Sequence, residues 1–176
     1  MHQQRLGTST LSTGAASQNT QSISATERLK ALKIELPPPS QPIANYTRFR
    51  KVGAVIHLSG QGSMFDNGQG IFGKVGHNLT LTDGIEAAHM TAMNMIAQAN
   101  LICEGDLDRI LQWVKLTGYV NCTDEFTQHP TVLDGATRLL EDVFGAAGLA
   151  SRTAVGVSSL PMNIAVEIQA DFEIKL

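Results

Sequence analysis

Cysteine is scarce in this chain of 176 residues: there are two, Cys103 and Cys122, with no CxxC and no framework of paired spacings. That excludes a disulfide-stapled secreted fold and points to a reducing compartment, so a cytoplasmic location is expected. Histidine is scattered at positions 2, 57, 77, 89 and 129, with no HxH or HxxxH pair, so no metal site is expected. No apolar run reaches the roughly 20 residues of a membrane-spanning helix, and no membrane partner is expected. A basic excess is missing too. The 13 Lys and Arg are outnumbered by 16 Asp and Glu, for a formal net charge of -3, and only Arg48, Arg50 and Lys51 cluster. Proteins that grip phosphate backbones present a basic face, so no nucleic-acid partner is expected. Glycines crowd the stretch 60–76, but no GxGxxG or GxxxxGK[ST] frame opens onto a helix. Turns and close backbone approach are the reading for them.

What the chain does have is an ordinary globular composition, 43% hydrophobic and 16% charged, at a length that suits one domain with a proper core. Residues 1–24 stand apart. They are rich in Ser, Thr, Gln and Gly, carry no acidic residue, and predict a disordered tail ahead of a domain over 25–176. The missing acids and Arg5 resemble an organelle-targeting segment, but such segments carry several arginines.

Periodicity supplies the elements. A short helix over 25–34 takes Thr26 as N-cap and is stopped by Pro37-Pro38-Pro39. One strand is predicted over 49–59, with Val52, Ala54, Ile56 and Leu58 alternating. A long helix over 83–103 has Asp83 and Glu86 in capping-box spacing, with Thr80 and Thr82 as alternative caps, and an apolar stripe from Ile85 to Ile102. A buried strand over 110–120 precedes a second long helix that starts near Pro130 and stops at Gly145. The stretch Ser151 to Asp171 then reads as a hairpin: a strand over 153–157, a turn at Ser158-Ser159-Leu160-Pro161, and a strand over 164–174. In that last strand Ile164, Val166, Ile168, Ala170, Phe172 and Ile174 share one face, with Glu167 on the other. If the hairpin closes, its two strands pair antiparallel, and Arg152 and Glu167 share a pocket. Singly, such charges are ordinarily solvated surface groups. The order of elements gives an α+β domain, a mixed sheet with two helices packed on one face. The uncovered face predicts self-association.

Several local signatures resemble the RidA/YjgF (L-PSP-like) family: Asn45-Tyr46, Leu58-Ser59-Gly60-Gln61, the run Val114 to Val120, Ser151-Arg152-Thr153-Ala154-Val155, Leu160-Pro161 and Val166-Glu167-Ile168. The resemblance covers about 27–176. It implies a chorismate-mutase-like fold assembled as a homotrimer with clefts between subunits. It also implies hydrolysis, without cofactor or metal, of 2-imino or enamino acids released by pyridoxal-phosphate-dependent dehydratases, giving 2-oxo acids and ammonia. By that resemblance Arg152 grips the substrate carboxylate, where a planar guanidinium binds in two prongs. Glu167 serves as catalytic acid/base, Ala154 and Gly60 offer backbone groups to the imine, and Tyr46 and Phe126 wall the cleft, Phe126 from a neighbouring subunit.

Three departures mark a divergent branch. Ala154 stands where many members have cysteine, Asp134 where asparagine is common, and Gly156 where glutamate is common. The extra charge of Asp134 works against an anionic substrate. A non-catalytic protein that binds 2-oxo acids or similar carboxylates in the same cleft is the alternative. An endoribonuclease, which the L-PSP label suggests, ranks last, for want of a basic groove or a histidine pair.

Overall fold

The structure, a computed structural model, describes residues 23–176; the predicted tail, apart from Ile23 and Ser24, lies outside the described residues. Helix α1 (Ala25–Ala31) starts at Ser24, not Thr26. The Ser24 hydroxyl accepts from the Glu27 N–H, and the Glu27 carboxylate accepts from the Ser24 N–H, so a capping box two residues upstream outcompetes the threonine.

The predicted single strand over 49–59 is instead a hairpin of β1 (Phe49–Val52) and β2 (Val55–Gly62). Gly53 takes a left-handed φ of 62° and folds the chain back where alternation alone showed no break. Helix α2 (Leu81–Ile102) is capped by Thr80 and Asp83 in reciprocal hydrogen bonds, the alternative cap rather than the Asp83–Glu86 box. Strand β3 (Ile110–Asn121) and helix α3 (His129–Phe144) fall where periodicity put them.

Strands β4 (Ser151–Val157) and β5 (Val166–Ile174) complete a five-stranded sheet in the order β1-β2-β5-β3-β4. They do not pair with each other. The β3–α3–β4 passage is a crossover that lays β4 parallel to β3 on the sheet edge, while β5 slots antiparallel between β2 and β3. The expected terminal hairpin is therefore corrected. Neighbours in sequence are parted by β3, because the apolar face of β5 gains most from the centre of the sheet, where Val166, Ile168, Ala170, Phe172 and Ile174 are all buried.

Helices α2 and α3 cover one face of the sheet. Their approach depends on Gly135: a Cβ there would collide with the Ile85 carbonyl on α2. Beneath them Trp113 is held between Phe172 and Phe144, with ring centroids 5.0 and 5.8 Å away. Truncating such a buried ring typically costs about 3–5 kcal/mol. The opposite face carries no helix among the described residues and is polar, presenting His57, Lys115, Thr117, Gln169 and Asp171, with His57 Nδ1 2.9 Å from Asp171 Oδ1. Among the described residues, no helix is long and apolar enough to cross a membrane.

Candidate active site

Glu167 sits on the central strand, opposite Gly62 of β2 and Tyr119 of β3, and points to the face without helices. Next to it β2 carries a bulge between Leu58 and Gln61. Gly60 lies in that bulge, and a Cβ at this position would land on the Glu167 carboxylate. Glycine thus gives the acid its room. The carboxyl group is half-buried, takes no hydrogen bond among the described residues, and is pushed above the ordinary glutamate range by burial alone.

It opens into a cleft of about 570 Å³ roofed by the segment 40–46, with Tyr46, Gly60, Gln61, Asn94 and Met162 among its walls. Among the described residues neither Arg, Lys nor His lines it, and the second charged group there is Asp66. An ammonium, an iminium or a neutral polar group therefore suits this half of the site better than an anion.

Arg152 is elsewhere. Its register partner on β3 is Leu116, whose side chain is buried under the helices, so Arg152 and Glu167 occupy opposite faces of the sheet. Arg152 Nη1 donates to Asp134 Oδ1 at 2.9 Å and to Thr137 Oγ1 at 3.1 Å, both on α3. Ala154 follows on the same face and packs against the core. Phe126 lies beyond the end of β3 in a different pocket, with Cys122 and His129. The candidate residues fall into two groups: Tyr46, Gly60 and Glu167 meet in the cleft, whereas Arg152, Ala154 and Phe126 belong to the β4 edge and the loop before α3. The single pocket expected from the terminal hairpin does not form in this chain, because β3 intervenes.

Two cleft residues escaped the sequence reading. Asn94 is 3% exposed, and its amide donates to the carbonyls of Gly62 and Met64 at 2.9 and 2.7 Å, which pins β2 and the following loop to α2. Gln61, also buried, donates to Ser59 and Gly60 and accepts from Ser40. A signal existed for the first. Thr91, Asn94 and Gln98 form a polar row at helical spacing inside an alanine- and methionine-rich stripe, and buried polar groups need partners.

Fold and cleft together define the class: an α+β domain of chorismate-mutase-like architecture with a half-buried carboxylate at the floor of a small-molecule-sized cleft. Residues 26–171 match the family described as YjgF/chorismate_mutase-like, putative endoribonuclease, and the chain belongs to that family. It is similar to Protein TCP17 of Trypanosoma cruzi, 39% identical over 147 residues that cover 83% of this chain and 91% of that protein. A crystal structure of a putative endoribonuclease from Shewanella oneidensis is 32% identical with a TM-score of 0.81, covering 86% of this chain and 99% of that one. RidA from the Antarctic bacterium Psychrobacter has the same fold at 19% identity and a TM-score of 0.53, over 78% of this chain and 94% of its own. The distance to RidA agrees with a divergent branch.

Proposed function

We propose that the chain is a deaminase that hydrolyses small imines and enamines, with Glu167 as the proton-transfer group. The observation that carries this is the state of Glu167: half-buried, its pKa raised by burial, and, among the described residues, without a hydrogen-bond partner and facing a cleft with no basic side chain. A carboxyl so placed holds its proton to higher pH than a solvated glutamate and is the better acid for it. Water adds its oxygen to the C=N carbon and a proton to the nitrogen, Glu167 protonates the resulting amine, and as the C–N bond breaks the carbinol O–H returns a proton to Glu167, leaving a carbonyl compound and ammonia.

The separation of Arg152 from Glu167 is compatible with 2-imino acids only if two subunits build each site. We therefore propose a homotrimer in which the Tyr46–Gly60–Glu167 half of one subunit faces the Arg152–Ala154–Phe126 half of the next. Strand β4 is a sheet edge with Val155 exposed, which supports an association there. In this assembly Arg152 takes the substrate carboxylate, and the product is a 2-oxo acid.

A second reading is binding of small carboxylates without turnover; the ion pair of Asp134 with Arg152 weighs on an anionic ligand in both readings, so it is turnover that separates them. Ribonuclease activity has less support, since a phosphodiester would enter a cleft containing Glu167 and Asp66 and no basic side chain. The deciding experiment follows the disappearance of a 2-imino acid, generated in situ by a dehydratase, against the uncatalysed rate. Acceleration that is lost in Glu167→Gln supports the deaminase; saturable 2-oxo acid binding with no acceleration supports the second reading.

A further inference from the structure

Cys122 and His129 meet in a pocket that shares Phe126 with the proposed imine site, but that reading leaves the thiol and the imidazole unused. Cys122 follows β3 directly and His129 opens α3, and the short loop between them brings Sγ to 3.3 Å from Nε2, the span of a thiol–imidazole hydrogen bond. Both groups are held. The Cys122 N–H donates to the Val157 carbonyl at 3.3 Å, and the next N–H, of Thr123, donates to Val75 at 3.0 Å. The imidazole ring is met edge-on by Phe126 at a centroid distance of 5.5 Å. Thr123, Asp124 and Ser158 help enclose a pocket of about 270 Å³.

Gly156 on β4 faces the pair. A Cβ there would fall on both Sγ and Nε2, so glycine at this position is what leaves space over the sulfur. Burial pushes the Cys122 thiol up, with a small addition from Asp124, against smaller pulls from the Val157 backbone on the sulfur and from Lys74. The sulfur therefore holds its proton at neutral pH and reacts only where a base is at hand. An imidazole in contact is such a base. Lys74 adds positive charge nearby, donating its Nζ to the carbonyls of Cys122 and Ser158.

We propose that Cys122 and His129 form a nucleophilic dyad whose pocket takes small α,β-unsaturated carbonyl compounds and is alkylated by them on sulfur. His129 Nε2 takes the thiol proton, and the sulfur lone pair forms a bond to the β-carbon. The C=C π electrons pass to the carbonyl as an enolate, and the imidazolium returns the proton to the α-carbon. The addition needs no oxidant, reductant or leaving group. It uses neither Glu167 nor Arg152.

The test treats the full chain with substoichiometric N-ethylmaleimide, an α,β-unsaturated carbonyl probe, and follows each cysteine by peptide mapping and mass spectrometry. Cys103 is the internal control, buried at the end of α2 without an imidazole contact among the described residues. Cys122 is expected to react at least about tenfold faster than Cys103, and His129→Gln to slow Cys122 by about that factor. Gly156→Ala, checked for native melting, is expected to block the reaction by filling the space. Equal rates at the two cysteines in the unmodified sequence overturn the proposal without any variant, as does a folded His129→Gln or Gly156→Ala protein that reacts at the wild-type rate. Imine hydrolysis plays no part in this readout, so either reading can fail alone.

Discussion

Arg152 is tied to Asp134 by a 2.9 Å ion pair that clamps the edge strand β4 to α3. Both side chains are partly exposed, and Thr137 supplies a second acceptor for the same nitrogen. The pair therefore contributes little to stability, about 1 kcal/mol or less, but it sets the charge that any anionic ligand meets.

Replacing Asp134 by Asn frees the guanidinium while keeping a polar group of the same shape. If Arg152 anchors the substrate carboxylate, Asp134→Asn should lower KM for a 2-imino acid by roughly three- to tenfold at low salt, with a small change in melting temperature. Steady-state kinetics at two ionic strengths measures this. An unchanged KM removes Arg152 from the substrate site.

Glu167→Gln should abolish turnover while ligand affinity persists, because an amide does not exchange protons with the departing nitrogen. Stability should move the other way. Folding raises the Glu167 pKa, so the folded state holds that proton more tightly than the unfolded chain. The favourable contribution is complete below the ordinary glutamate value and is lost as pH rises through the raised one. At neutral pH the ionised, unpartnered carboxylate is thus a burden that glutamine lacks. The variant should melt higher than wild type near neutral pH, and the difference should shrink toward zero at about pH 4. Paired melting curves across that range test it, and a gap independent of pH contradicts it.

Gly135→Ala should destabilise the domain even though alanine is the better helix former by about 1 kcal/mol. The added Cβ would strike the Ile85 carbonyl, which is backbone and cannot rotate away, so α2 and α3 must separate. Overpacking of this kind costs typically about 1–3 kcal/mol, a fall of several degrees in Tm for a domain of this size. A Tm equal to wild type would mean that the helices part freely.

Light scattering at micromolar concentration should give three times the 18.9 kDa chain mass. Charged substitution at Val155 on the exposed edge of β4 should dissociate the assembly and lower imine hydrolysis together. A stable, active monomer would contradict the shared-site arrangement.

The long helices, β3 and the polar placement of Glu167 were legible because each rests on local rules: caps at Thr80, proline in the first turn of α3, strict alternation along β5. Long-range pairing was not. Nothing near Gly53 marks the turn between β1 and β2 except one glycine inside an alternating run. The adjacency of β4 and β5 in sequence imitates a hairpin, whereas the crossover through α3 commits β4 to β3. Asn94 was hidden for a related reason. Its partners, the carbonyls of Gly62 and Met64, lie about thirty positions upstream, and only the tertiary fold brings them near.

The placement of β5 also governs the order in which the domain can be completed. It is the last of the five strands in sequence and the middle one in space. Until residues 166–174 exist and insert, β2 and β3 share no partner, and the β1–β2 and β3–β4 pairs are separate ribbons with open inner edges. During synthesis those two edges offer unpaired backbone to any other nascent chain. Joining the two halves of the sheet therefore waits on the last-made strand, and a chain cut before Val166 would keep two separate ribbons.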